Sequence, residues 1–464
     1  MNPYPGKKSL FCLLFLSCIL SSPGPCPGYE GDEKYPVLKK YIIEYNTKHL
    51  KFSLSEGTYR GEEGILMIRP DVARDFNLKA DISRQYLESQ KYYDEAEDTL
   101  NKAENALEYN GKKKSDRILI KNMVENIISY KEKTLLARER IEQYKAGLDR
   151  ENDDRFNDDL CNEIIVRQLD DCFLKTENSL RDGLGLFFNR SRGIKKGKYH
   201  ITTENVKFIN FVFKGFLNDA PASARKKYNL DKHERNGSEV TGSWEKIARK
   251  DLPKLARFIE KAAGRVGEKI YRVDPLLFMS LMRKESDFNH LAVSGVGAAG
   301  LTQIMPQTAI DLGLKNIYIP EYYHKASGLL KKERSVKKQA EEEMMGISSM
   351  EDTSRAENAR NLMLKLFEIK RERKALYNRY KKELVKNGKD ERLDPEKAIE
   401  SGLVYFAKLM KAQKGDISLA LASYNAGPHR VKQYNGIPPY EETVGFRNRI
   451  LKFYSAYLAR LDEE

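Results

Sequence analysis

Two runs of apolar residues at heptad spacing dominate the middle of the chain. The first run is Ile82, Tyr86, Tyr93, Ala96, Leu100, Ala103 and Leu107; the second is Ile120, Met123, Ile127, Tyr130, Thr134, Ala137, Ile141 and Tyr144. Spacings of three and four place each run on one face of an α-helix. Because Asn110-Gly111 breaks the pattern between them, the sequence predicts an antiparallel helical hairpin over residues 80–148. A scaffold or spacer is the favoured interpretation, and a coiled coil that binds a protein partner is the alternative.

Composition and charge limit the classes of protein that remain. The chain has 464 residues, of which 40% are hydrophobic and 32% charged, and its net charge is +14. This length suggests about three domains at roughly 150 residues each. A basic balance favours polyanionic surroundings such as nucleic acid, anionic lipid or a cell-wall polymer, without choosing among them. No internal run is long and apolar enough for a polytopic membrane protein.

The first 28 residues have the three-part pattern of a bacterial secretory signal. Lys7 and Lys8 precede the apolar run Ser9 to Leu20, and small residues and prolines follow. We therefore expect secretion to the periplasm. Cys18 lies in a loose version of a lipoprotein cleavage box, which leaves membrane anchoring by lipidation, as an outer-membrane lipoprotein, as an open alternative.

Cysteine usage gives no metal site. Cys161 and Cys172 could form a disulfide in an oxidising compartment, or could be two separate small apolar residues. A straight helix would hold them ~16 Å apart at ~1.5 Å per residue, beyond the reach of a disulfide. The sequence has no CxxC and no HExxH motif, so we expect no metal and no cofactor.

The segments on either side of the hairpin are less clearly patterned. Residues 29–79 are predicted to hold a turn and one short strand within Thr58 to Pro70, and residues 149–245 to be helical. The polar stretch Asn236 to Ser243 is expected to be a linker. The basic run Ile194 to His200 lacks the interleaved aromatic residues of a nucleic-acid platform, so we expect no nucleic-acid partner.

Residues that could perform chemistry are concentrated after residue 270. Asp274 can cap a helix that begins at Pro275, and on this helix Glu285 lies near an apolar stripe that includes Leu281. Such a glutamate either extends to solvent or is held in an apolar cleft. The following Gly295 to Gly300 matches GxGxxG, but a dinucleotide site needs a strand before it, and here a helix precedes it.

Four ordered blocks of sequence resemble the soluble lytic murein transglycosylases, which share a goose-lysozyme-like helical fold. They are Glu285 to Ala309, Asp394 to Met410, Ala420 to Val431 and Ile437 to Thr443. The resemblance implies an all-α protein whose lytic transglycosylase domain spans 246–464, interrupted by a helical insertion at 320–392. The insertion is expected to be a solvated helical excursion, with a lobe that binds glycan or a partner as the alternative.

The resemblance also implies a role for six residues. Glu285 is similar to the single catalytic acid and base of the family, and the residues expected to bind the glycan are Ser294, Gln303, Met305, Tyr424 and Asn425. Gln303 is expected to offer its amide to the sugar. Thr302, His429 and Val444 to Phe446 depart from the usual pattern, which affects expected subsite preference more than chemistry.

The implied function is cleavage of the β-1,4 bond between N-acetylmuramic acid and N-acetylglucosamine in peptidoglycan, leaving a 1,6-anhydromuramic acid end. The alternative is a structural protein that binds peptidoglycan with the same fold and does not cleave it. A basic nucleic-acid-binding protein is a third interpretation that only the charge suggests.

Overall fold

The chain is described by a computed structural model over residues 34–50, 59–111, 115–194, 200–229 and 244–463. The predicted signal sequence and the predicted linker Asn236 to Ser243 lie outside these ranges. Within them the secondary structure is helical, and β-structure is limited to isolated bridges. The predicted all-α class is therefore confirmed.

The N-terminal half contains eight α-helices in the described ranges. They are α1 Pro36–Glu44, α2 Pro70–Asp75, α3 Arg84–Glu108, α4 Asp116–Ala146, α5 Asp158–Lys175, α6 Leu180–Ser191, α7 Val206–Asp219 and α8 Ala222–Lys226. A π-helical turn, Tyr45–Leu50, continues α1. The strand predicted within Thr58 to Pro70 is wrong for the described residues. They form a tight turn closed by a bridge between Glu63 and Ile68, since Gly61, Gly64 and Met67 have positive φ angles that a strand does not accept.

Helices α3 and α4 pack side by side as a long hairpin. The side chain of Ser83 caps the first turn of α3 by accepting from the Tyr86 amide. Heptad residues of both helices, among them Tyr93, Met123 and Ile127, are buried along the seam. The packing of two apolar stripes explains why helices of this length remain ordered.

The C-terminal half contains ten α-helices in the described ranges. They are α9 Trp244–Asp251, α10 Ala256–Lys269, α11 Pro275–Ser286, α12 Pro306–Asp311, α13 Glu321–Met345, α14 Thr353–Asn387, α15 Pro395–Ala412, α16 Ile417–Ala426, α17 Pro428–Gln433 and α18 Glu441–Glu463. Helix α11 lies at the centre of one apolar core, with Leu276 to Met282 all buried, and α9, α10, α15, α16 and α18 surround it.

Helices α13 and α14 form a second hairpin within the predicted insertion. The expectation of a solvated excursion is wrong for its tip, because Ala340, Met344 and Met363 are buried in one core with Met123 and Ile127 of the first hairpin. Arg360 also donates to the carbonyls of Leu107 and Tyr109. The two hairpins therefore pack together, and the insertion joins the two halves of the molecule.

Cys161 and Cys172 lie on the same helix, α5, and both are buried and unpaired. Burial raises the pKa of each thiol to about 12. The two cysteines therefore act as small apolar residues of the N-terminal core, and the disulfide alternative is excluded. No helix in the described ranges has the length and apolarity needed to cross a membrane.

Candidate active site

Glu285 lies in the last turn of α11, where the central helix leaves the core. Asp274 caps the other end of this helix by accepting from the Leu276 amide at 2.8 Å, and Pro275 takes the first helical position, as the sequence predicts. The helix ends at Ser286 because Asp287 adopts a left-handed conformation, with φ at 49°. The side chain of Asp287 is exposed, whereas Glu285 is half-buried. The neighbouring carboxyl is therefore separated from Glu285 in both direction and environment.

The environment of Glu285 disfavours its charged form. Burial raises the pKa of Glu285 to about 8, and the carboxylate of Glu442 adds to this rise, while Lys284 opposes it. The ammonium of Lys284 lies 5.3 Å from the centre of the Phe446 ring. At neutral pH the carboxyl therefore carries its proton and can act as an acid. A glutamate on an apolar stripe either extends to solvent or is held in an apolar cleft, and in the structure Glu285 lies in a cleft.

The loop from Leu291 to Ile304 lies beside the end of α11, and the side chain of Arg392 holds it in place. This guanidinium is buried, and it donates to the carbonyls of Gly297 at 3.0 Å and Ile304 at 3.2 Å while pairing with Asp390. Gly300 has a φ of +79°, and a Cβ built on it would meet the carbonyl oxygen of Arg392 at 1.7 Å. The loop can therefore approach its support this closely only because this position is glycine.

Two of the predicted glycan-binding residues, Ser294 and Gln303, lie on this loop, and a third, Met305, follows it. The Oγ of Ser294 accepts from the amides of Val296 and Ala298, which leaves its hydroxyl proton available to a ligand. Met305 is exposed where the loop meets α12.

Gln303 differs from its expected role. Its Nε2 donates to the carbonyls of Ala292 at 2.9 Å and Gly300 at 2.8 Å, so both amide donors hold the loop. Its carbonyl oxygen is the atom that can meet a sugar, because the donors are already used.

Tyr424 and Asn425 enter the site from α16. The hydroxyl of Tyr424 donates to the carbonyl of Thr302 at 2.7 Å, and its ring stacks on Phe446 with centroids 6.4 Å apart. Burial raises the pKa of Tyr424 well above its ordinary range, and the charge of nearby Glu285 adds to this rise. Asn425 is fixed by accepting from the Thr443 hydroxyl at 2.7 Å. The predicted residues from separate blocks are therefore brought together around the end of α11.

Two contributors to the site were missed by the sequence interpretation. Glu442 belongs to the closing block, yet its effect on Glu285 depends on a turn that places α18 beside α11. Arg392 was treated as the end of the insertion, and its burial against the loop depends on its pairing with Asp390. The Asp-x-Arg spacing was the one signal that could have pointed to it.

Metal-binding chemistry finds no support in this site. Among the described residues, no three side chains of histidine, cysteine, aspartate or glutamate converge as metal ligands would. The groups gathered around Glu285 are one carboxyl, one phenol, amides and a hydroxyl. They suit proton transfer and hydrogen bonding to a polar chain.

Comparison with known proteins agrees with this geometry. The model of the Transglycosylase SLT domain matches residues 264–338 and 372–443. A transglycosylase of Enterobacteria phage PRD1 is 48% identical over 50 residues, which are 11% of this chain and 19% of the phage protein.

Two solved structures are also similar. An inactive mutant of the lytic transglycosylase Slt from Pseudomonas aeruginosa is 14% identical, with 82% of this chain and 52% of that chain covered and a TM-score of 0.27. The 70 kDa soluble lytic transglycosylase SLT70 from Escherichia coli is 15% identical, with 91% and 71% covered and a TM-score of 0.26. The chain thus spans about a fifth of the phage protein and about half of the Pseudomonas enzyme.

The two segments of the family match contain all six residues gathered around the end of α11, and they leave out residues 339–371 at the tip of the second hairpin. The match to the Transglycosylase SLT domain therefore lies in the C-terminal half of the chain, over the residues that form the candidate site.

Proposed function

We propose that this protein is a lytic transglycosylase that cleaves peptidoglycan between N-acetylmuramic acid and N-acetylglucosamine. One observation carries the proposal. Glu285 is a half-buried carboxyl with a pKa of about 8, facing the phenol of Tyr424 beside a loop of polar groups. The SLT family match to this half of the chain supports the same reaction class.

One carboxyl is sufficient for this reaction because the substrate contains a second nucleophile. Ordinary glycosidases use two carboxyl groups, spaced either for a water or for direct attack. A muramyl residue can instead use its own carbon-6 hydroxyl. Neutral Glu285 protonates the leaving glycosidic oxygen, and the resulting carboxylate then accepts the proton of that hydroxyl as it closes on carbon 1. The product is a 1,6-anhydromuramic acid end.

The groups around Glu285 have matching roles in this proposal. Ser294 can donate to the sugar, the carbonyl of Gln303 can accept from it, and Met305 offers an apolar contact at the loop end. Asn425 retains its amide donors, since the bond from Thr443 uses its carbonyl oxygen. The proposed glycan site is thus the surface that joins the 291–304 loop to α16.

The setting of the enzyme is also a proposal. The N-terminal secretory pattern and the basic net charge support action in the periplasm, where peptidoglycan lies, and Cys18 keeps lipid anchoring as a variant of it. The division of the chain at residue 246, with a catalytic domain after it, remains part of this proposal.

A pair of matched variants tests the assignment of Glu285. Glu285→Gln should lower the digestion of purified peptidoglycan by ~10²–10⁴-fold or more, because one group supplies both acid and base. Asp287→Asn should retain most activity, since its side chain is exposed and asparagine accepts the same left-handed backbone. The opposite pattern would favour a two-carboxylate hydrolase. Binding of peptidoglycan by a wild type that does not cleave it would favour the structural alternative.

A further inference from the structure

The buried arginines of the two halves have the same set of partners. Arg392 donates to the carbonyls of Gly297 and Ile304, to the hydroxyl of Tyr380 at 2.7 Å, and pairs with Asp390. Arg155 donates to the carbonyls of Gly61 and Ile68, to the hydroxyl of Tyr144 at 2.6 Å, and pairs with Asp153. Each arginine thus has four matching partners, which come from the loop, the hairpin and the Asp-x-Arg turn of its own half. This agreement indicates that the two halves have one fold.

The loops held by these arginines also match in sequence. Residues 61–70 read GEEGILMIRP and residues 297–306 read GAAGLTQIMP, with both glycines, the isoleucine and the proline in register. Gly64 has a φ of +73°, and a Cβ on it would meet the Arg155 carbonyl oxygen at 1.8 Å, as for Gly300 and Arg392. Met67 has a φ of 48° where Gln303 has 47°. The agreement extends to a backbone conformation that is uncommon outside glycine.

The order of the remaining elements repeats as well. In each half a proline-initiated helix leads to this loop, then to a long hairpin, then to the Asp-x-Arg turn and a capped helix of 18 residues, α5 or α15. Helices α7 and α18 then carry ENVKFIN at 204–210 and ETVGFRN at 442–448. The predicted insertion is therefore the counterpart of the first hairpin, and both belong to the repeating unit.

Asn46 takes the place of Glu285 in the N-terminal half. Each lies ten positions after the proline that begins its helix, Pro36 or Pro275. The amide of Asn46 is buried and donates to the carbonyls of Ile65 and Leu66, each at 3.2 Å. An amide with this role cannot supply a proton as an acid.

In the N-terminal half, the side chain of Arg192 lies on the surface that corresponds to the proposed glycan site. Arg192 donates to the carbonyl of Met67, the counterpart of Gln303. Its guanidinium lies 5.3 Å from the ring centre of Phe188, which precedes Asn189 as Tyr424 precedes Asn425. The surface that would receive a sugar is thus covered by a cation that belongs to the protein.

The two halves contact each other reciprocally. Asn210 donates to the carbonyl of Ile437 at 2.9 Å and accepts from its amide at 3.0 Å. Asn448, the counterpart of Asn210, donates to the carbonyl of Ile201 at 2.8 Å. Ile201 and Ile437 lie in the equivalent loops before α7 and α18. Contacts in which i meets j and j meets i are the mark of a two-fold interface, here within one chain.

From these relationships we propose that the described residues between 36 and 229 form a second, non-catalytic copy of the lobe that holds Glu285, docked on it across a pseudo-two-fold axis. The copy supplies Asn210 as a positioning residue. By holding Ile437, Asn210 fixes the start of the segment that carries Glu442 and Thr443 to the site. Asn448 holds the equivalent segment of the copy, where Asn46 stands in place of Glu285. This rests on the proposed function for its catalytic half.

The symmetry provides a matched pair of variants in the full chain. Asn210→Ala and Asn448→Ala should both lower the Tm, since the first removes two buried hydrogen bonds to Ile437 and the second removes one to Ile201. At a temperature well below both transitions, Asn210→Ala should lower kcat/KM on purified peptidoglycan about tenfold or more and shift the alkaline limb of its pH profile, because Glu442 moves relative to Glu285. Asn448→Ala should keep the wild-type profile.

The remaining outcomes overturn the inference. Equal activities and pH profiles for the two variants would remove the positioning role of Asn210. An unchanged Tm in either variant would contradict the two-fold interface. Asn46→Ala should keep the activity of the folded enzyme, and its loss would show that the N-terminal half performs chemistry. A wild type without lytic activity would contradict the proposed function instead, and the Tm comparison would still test the interface.

Discussion

The hydroxyl of Tyr424 donates to the main-chain carbonyl of Thr302 at 2.7 Å, which ties α16 to the 291–304 loop of the proposed glycan site. The same phenol is buried near Glu285, and burial together with the charge of Glu285 raises the pKa of Tyr424. One side chain therefore sets both the distance between two walls of the site and the surroundings of the acid.

Tyr424→Phe removes this tie and keeps the stacked ring on Phe446. We expect a loss of about 1 kcal/mol in stability, since the Thr302 carbonyl loses a partner, and a drop of about tenfold in kcat/KM through misplacement of the acid. Tyr405→Phe is the matched control, because Tyr405 also contacts the Tyr424 ring, with centroids 5.2 Å apart, but does not bridge to the loop. Peptidoglycan digestion and thermal unfolding of both variants check this. Equal activity losses would contradict it.

The pKa of Glu285 sets the pH dependence of activity. The proposed acid must be protonated before cleavage, so kcat/KM should fall as the pH rises through about 8. A rate profile whose only alkaline loss occurs near the ordinary range of a carboxyl, about pH 4–5, would contradict this.

The stability of the protein should also depend on the protonation of Glu285. Its pH dependence should be opposite to that caused by a salt-bridged carboxyl, whose pKa is lowered on folding. The pKa of Glu285 in the folded state lies above its ordinary value. At pH values between the two, the native state therefore binds more protons than the unfolded state. The free energy of unfolding should accordingly fall as the pH rises from about 5 towards 8. Glu285→Gln has no carboxyl to titrate and should not lose stability in this way. The Tm of the variant minus the Tm of the wild type should therefore increase as the pH rises over this window. A difference in Tm that stays constant with pH would contradict the assignment.

Gly300 provides a test of the loop and its support. Gly300→Ala places a methyl group against the Arg392 carbonyl oxygen at a positive φ, so we expect a loss of more than ~2 kcal/mol. Gly295→Ala is the control, because no atom lies within 4 Å of its added Cβ. Thermal unfolding compares them, and a neutral Gly300→Ala would show that the loop is held in another way.

The sequence predicted the elements that depend on local periodicity and caps. The heptads between Ile82 and Tyr144 gave the first hairpin, and the Asp274-Pro275 pair gave the start of α11, because both signals act within a few turns of helix. The position of Glu285 on an apolar stripe left two environments open. Only the packing of α16 and α18 on α11 determines that it lies in a cleft.

The differences between prediction and structure come from contacts that form only when the chain folds. The insertion was expected to be solvated because its helices are rich in charge, yet Met344 and Met363 find apolar partners on the first hairpin. Gln303 is expected to offer an amide donor and acceptor to the sugar, but the fold of the loop brings the carbonyls of Ala292 and Gly300 onto both donors. Neither the contact between the hairpins nor the conformation of the loop follows from the periodicity of the sequence.

The chemistry of the product end tests the central claim most directly. Purified peptidoglycan digested by the wild type should give fragments ending in 1,6-anhydromuramic acid, because the carbon-6 hydroxyl replaces water as the nucleophile. Each such end is lighter by one water than a hydrolysis product, so mass spectrometry separates the two. Anhydro ends that disappear in Glu285→Gln are the predicted result, and reducing muramyl ends from the wild type would contradict the account.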